Sequence, residues 1–163
     1  VKQLNKIVEI NIKDRRFDVK DCLQNKVKLV EKTSVDKDKG RVINPNNVRV
    51  EQLSKRARLR ALKGDILLAL DKKNNFFPVL VEEEIVVSDY FAVLTPTSVD
   101  SYYLFWALTT DYFKKQARAR ARGTYNQRLP IEELKAMKIS WLEDKEEKVE
   151  DKQEEKKGSK RGE

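Results

Sequence analysis

Hydrophobic positions first alternate at residues 7–12, IVEINI, where Val8, Ile10 and Ile12 fall on one side and Glu9 and Asn11 on the other. That period of two predicts a half-buried strand. VKLV at 27–30 predicts a second. Thr33 to Asn47 is dense in Asp, Lys, Gly, Asn and Pro, which reads as a polar connection with at most a short strand at Val42–Ile43. The basic stretch SKRARLRALKG then leads into an unbroken apolar run, Ile66–Leu70, short enough for a buried strand. FFPVLV, EEEIVV and YFAVL follow, three β-rich pieces expected to be adjacent strands of one antiparallel sheet. Beyond them the period changes. Tyr103, Leu104, Ala107, Leu108 and Tyr112 recur at spacings of three and four, predicting one long helix from an Asp100 cap to about Arg120, with Gly123 as its stop. IEELKAM at 131–137 predicts a short helix entered through Pro130, and KISWL at 138–142 a last strand. This mixed order gives an α+β class, with an antiparallel or mixed sheet, a long helix and a short one.

After Leu142 the pattern stops, because Val149 alone is aliphatic in the last 21 residues. Residues 1–142 are therefore expected to form one domain, and 143–163 a charged tail, disordered or a solvated helix of alternating Glu and Lys. The tail holds nine acidic and seven basic residues, which leaves 28 Lys and Arg against 18 Asp and Glu over 1–142. A body that basic attracts polyanions, nucleic acid first among them, although charge alone does not separate DNA from RNA, an acidic protein or an anionic membrane. The chain opens on Val1 rather than Met, as an excised fragment would.

Composition narrows the chemistry. There is no histidine and a single cysteine, Cys22. An internal disulfide, Ser-His-Asp or Cys-His hydrolysis and a four-cysteine zinc site are thereby removed, and a reducing, cytoplasmic setting is favoured. Cys22 itself reads as a small buried apolar residue rather than a nucleophile. No apolar run approaches the roughly 20 residues of a membrane span. GxxxxGK[ST] and GxGxxG are missing, and neither Asn74-Asn75 nor Asn44-Pro45 continues into the Asn/Asp-Pro-Pro-aromatic pattern of amino-methyltransferases. Nuclease-like Glu-x-Lys triplets occur at Glu133-Leu134-Lys135, Glu143-Asp144-Lys145 and Glu146-Glu147-Lys148. A chain that is 38% charged produces these by chance. Glu82-Glu83-Glu84, between two apolar pieces, reads as a solvated turn. No catalytic residue, metal or cofactor is expected.

The basic clusters say more. Lys55, Arg56, Arg58 and Arg60 precede the buried strand, and Lys114, Lys115, Arg118, Arg120 and Arg122 put five cations within nine residues at the end of the long helix. Some of these offset the negative helix terminus, but five exceed that need, and Arg suits bidentate contacts with phosphate or guanine. Directly after comes GTYNQR. Thr124, Tyr125, Asn126, Gln127 and Arg128 carry almost every polar group that reads base edges.

LKGDILLA at 62–69, followed by VVSDYFAVLTP at 86–96, resembles the target recognition domain of type I restriction-modification specificity subunits. The order of elements extends the resemblance over residues 1–142. VKQLNKIVEI resembles the start of such a domain, and VKLVEKTSVDKDKGRVI its second strand region. DSYYLFWALTTDYFKKQARARARG stands for its helix. RLPIEELKAMKISWL stands for its closing element, with Ile131, Leu134, Met137 and Ile139 in the apolar places and Ser140 where a proline would be.

The resemblance implies a non-catalytic module that docks a methyltransferase subunit, and through it an endonuclease subunit, onto one half of a bipartite site in double-stranded DNA. A second recognition domain or a homodimer would supply the other half. The tail lacks the apolar heptads by which the spacer helices of that family pair. By the same resemblance, two loops should face DNA: Asp71, Lys72, Lys73, Asn74 and Asn75, and Gly123 to Arg128. Gly64 and Asp65 serve a turn, and Trp106 and Trp141 read as core or interface aromatics. Two other readings remain open at this point, the recognition portion of a fused methyltransferase-nuclease and a basic protein-interaction module.

Overall fold

A computed structural model describes residues 1–55 and 57–141. Arg56, Leu142 and the whole charged tail, including two of the Glu-x-Lys triplets, lie outside the described residues. Twelve strands and three α-helices run through these residues, joined by short 3-10 turns. In chain order the strands are β1 (Lys2–Gln3), β2 (Val8–Ile10), β3 (Lys26–Val30), β4 (Val35–Asp36), β5 (Arg41–Val42) and β6 (Asn46–Arg49). β7 (Leu59–Ala61), β8 (Ile66–Ala69), β9 (Pro78–Leu80), β10 (Ile85–Val87) and β11 (Phe91–Pro96) follow. Helices α1 (Ser101–Thr109), α2 (Asp111–Arg120) and α3 (Ile131–Ala136) precede β12 (Lys138–Ile139).

A six-stranded mixed sheet, in the order β2-β11-β8-β9-β5-β4, lies at the centre. Its two central strands, β8 and β9, are apolar at every position because both faces are covered. Ile66, Leu68 and Leu70 point with Ala92 and Leu94 into a core shared with the helices, while Leu67 and Ala69 point with Phe91 and Val93 the other way. The second core is closed by a four-stranded sheet, β6-β3-β10-β7, through Ile85 and Val87. Val86, between them, faces a small third cluster with Phe17, Val50, Leu53 and Ala57. The layers are thus helices, sheet, sheet and an irregular outer cover. β1 pairs with β12, so the two ends of the described domain meet.

Three expectations change. The pieces at 76–94 are not neighbours in one sheet: β9 and β11 flank β8, whereas β10 leaves to lie parallel to β3 in the other sheet. Burial on both faces of β10 is satisfied there by two different cores, which a local pattern does not reveal. The long helix is two. Thr110 is extended (φ −69°, ψ 151°), its hydroxyl donating to the carbonyl of Ala107 and accepting from the amide of Phe113. One residue therefore ends α1 and caps α2. This break re-phases the second helix so that Phe113, Lys114 and Ala117 are buried, while Tyr112 is exposed. The strand expected at Val42–Ile43 sits at Arg41–Val42, and β6 lies within and beyond what read as connection.

Other expectations hold. Asp100 caps α1 by accepting from the amides of Tyr102 and Tyr103. Gly64 turns with φ +94°, and the buried Asp65 carboxylate accepts from the amide of Leu62 and pairs with Arg15. Cys22, expected to be buried, is only partly so, its thiol donating to the carbonyl of Gln24.

Candidate nucleic-acid interface

Leu70 leaves the central strand and the chain turns through Asp71–Asn75 before Phe76 re-enters the core, fully buried. Asn75 and Phe76 both adopt left-handed backbone, φ 58° and 51°. One carboxylate organises the turn. Asp71 accepts from the Tyr90 hydroxyl at 2.7 Å and from the Asn74 side-chain amide at 2.6 Å. Burial and the neighbouring Asp71 carboxylate push the Tyr90 hydroxyl well above the usual phenol range, so it stays a donor at any ordinary pH.

The second loop is stitched to the first. Arg122 and Arg128 exchange backbone hydrogen bonds of 2.9 and 2.8 Å, closing Gly123–Gln127 into a projection, and Asp71 bridges Arg128. Lys72 donates twice to Gln127, from its amide to the carbonyl and from its ammonium to the side-chain oxygen, each at 2.9 Å. The Arg128 guanidinium donates to the carbonyl of Asp89. Gly123 makes the projection possible. Its φ is +129°, and a Cβ there would stand 2.8 Å from the carbonyl oxygen of Asn126.

Both sequence-predicted loops therefore form one polar surface, but their residues differ in what they leave free. Thr124, Tyr125 and Asn126 are exposed and make no side-chain hydrogen bond among the described residues; Tyr125 retains 96% of its accessible surface. Lys73 is likewise exposed, whereas Lys72, Gln127 and Arg128 are each engaged across the junction.

The helix-end cations divide in the same way. Lys115 is exposed on α2. Lys114 is not: it is 8% exposed, with its ammonium turned inward onto the carbonyls of Asn75 and Phe76, so the expectation that it meets a ligand is corrected. Burial, then the Arg118 charge, lower it to about 8. Arg118 donates to the Asn75 side chain at 2.7 Å, and Arg120 and Arg122 share Glu133 at 2.8 and 2.9 Å. Four of the five cations are thus hydrogen-bonded locally, but the only carboxylate they meet among the described residues is Glu133, shared by Arg120 and Arg122. In the earlier basic stretch, Arg58 donates to the carbonyls of Ser54 and Leu53, and Arg60 stacks on Phe17.

The helix layer that carries these cations rests on sheets in an order that known structures share. A chain from the structural study of complex assembly and conformational transition of the type I restriction-modification system superposes with a TM-score of 0.73 at 19% identity. The HsdS subunit from Thermoanaerobacter tengcongensis gives 0.69 at 18%. The fold is shared with HsdS. Each comparison covers 98% of this chain but 43% of the longer one, so this chain spans less than half of either. No protein-family model and no curated protein matches the sequence.

Within this HsdS-like fold, sequence reasoning missed Asp89, Tyr90 and Glu133, which tie the loops and the helix end together. Tyr90 and Asp89 lie just ahead of a strand, and nothing local marks their partners. Trp106 is half-exposed beside Tyr103, which also meets Trp141 edge-on. Among the described residues no group of His, Cys, Asp and Glu could hold a metal, and no helix is long and apolar enough to cross a membrane.

Proposed function

We propose that this chain is a sequence-reading DNA-binding module of a type I restriction-modification specificity subunit. It would direct a partner methyltransferase, and through it an endonuclease, to one half of a bipartite site. One observation carries the reading: the two polar loops, 55 residues apart at Lys72 and Gln127, are joined into a single surface on the HsdS-like fold. Exposed Lys72, Lys73, Lys115, Arg122 and Arg128 supply the sequence-independent attraction to phosphates. Thr124, Tyr125 and Asn126, whose side chains make no hydrogen bond among the described residues, supply directed donors and acceptors for base edges. Asn74 and Asn75 shape the first loop, and Gln127 and Arg128 lend it their junction. Arg120 serves α3 through Glu133 more than it serves DNA.

Recognition on this account needs no covalent chemistry from the chain, and the domain 1–142 acts as a binding unit. The test is selection from randomised duplexes by the full chain, alone and with the methyltransferase subunit. A short recurring base pattern is expected. Equal retention of every duplex, or retention of any polyanion alike, contradicts the reading and favours a basic module for an acidic protein.

A further inference from the structure

We infer that Lys114 and Arg118 are positioning residues: from successive turns of α2 they hold the Asp71–Asn75 loop in the one conformation that presents it to DNA. The inference rests on the DNA-binding reading and assigns these two cations a task other than phosphate contact.

Two consecutive residues with a Cβ in the left-handed region are an uncommon backbone, disfavoured by the clash of Cβ with the following carbonyl, and the second here is a phenylalanine. Such a bend persists only where its surroundings over-determine it. Here the bend turns the carbonyls of Asn75 and Phe76 to the same side, where one ammonium donates to both, at 2.5 and 3.0 Å. Four residues further along α2, Arg118 donates to the Asn75 side chain. The Phe76 ring, buried beneath, closes the arrangement from the core side.

A phosphate ligand would be met by exposed, rotatable side chains. Lys114 is neither. It is buried, and its ammonium donates to two backbone carbonyls of the loop, which satisfies a desolvated charge without a ligand. The consequence falls on the Lys72–Gln127 junction that aligns the second loop.

Base selection and the salt dependence of affinity, measured on the full chain, separate positioning from phosphate binding. Lys114→Met, which keeps the stem but not the donor, and Arg118→Met should each relax preference about tenfold at one or two base positions. The slope of log affinity against log salt should stay that of the parent, because no phosphate contact is lost. Unchanged base preference, or a slope shallower by about 0.9, overturns the proposal. Should Lys114→Met fail to fold, the exposed Arg118→Met decides on the same two readouts. A parent chain that selects no sequence refutes the DNA-binding reading itself, whatever the variants do.

Discussion

The two loops of the polar face are built on opposite plans. Asp71–Asn75 is fixed on both limbs, by Tyr90 and Asn74 on the Asp71 carboxylate, by Lys114 and Arg118 on its far limb and by Phe76 in the core. Gly123–Arg128 is fixed at its base alone, by the Arg122–Arg128 bridge and the junction with Lys72, while Thr124, Tyr125 and Asn126 stand free. Rigidity in the first loop gives register; freedom in the second leaves donors and acceptors for a ligand. Residues of the same type accordingly have different tasks on the two sides. Asn74 is spent on Asp71, whereas Asn126 is unspent.

The comparison breaks most sharply at the loop anchors. Phe76→Ala should destabilise the domain by about 3–5 kcal/mol, since a fully buried ring is lost from the core. Tyr125→Ala, at the free tip, should stay within about 0.5 kcal/mol, and chemical denaturation of the two variants reads the difference directly. Gly123→Ala comes next. A Cβ forced into φ +129° and against the Asn126 carbonyl should cost about 1–3 kcal/mol and broaden the resonances of 124–127 and of Lys72, which bonds to Gln127, while leaving those of 73–75 in place.

The smallest effect is on pH dependence, and it belongs to the fixed loop. Lys114 releases its proton near pH 8 in the folded chain but near its ordinary 10.5 when unfolded. Between those values the unfolded chain binds more protons, so this group's contribution to stability rises with pH and is lost again as pH falls through 8. Melting temperatures should show that rising component in the parent chain and lack it in Lys114→Met.

Much of this architecture is written in the chain. The apolar run at 66–70 announces a strand buried on both faces, and Asp100 announces a helix start, because each signal is local. β6, reading Asn-Asn-Val-Arg, is silent: it is an edge strand with one partly buried side chain, and its pairing with β3 supplies what its residues do not. The division between β9, β10 and β11 is equally silent, since strand neighbours are chosen by tertiary packing. The second loop of the polar face was legible as a polar, Gly-bearing connection, and the first was placed by the family resemblance alone. Their junction was not. A basic cluster looks the same whether its lysine points outward, as Lys115 does, or inward onto two carbonyls, as Lys114 does. The pairing of Arg120 and Arg122 with Glu133 depends on a packing of α3 against α2 that spacing does not encode.

On the proposed DNA-binding reading, base recognition resides at the free tip of the second loop. Selection from randomised duplexes with Asn126→Ala, run beside the parent chain, tests it most directly. Asn binds adenine through paired hydrogen bonds that contribute about 1–3 kcal/mol of discrimination. Relaxed preference at one or two base positions is expected, with the remaining positions and the salt slope retained. A variant that keeps the parental preference everywhere, or loses affinity equally on all sequences, contradicts it.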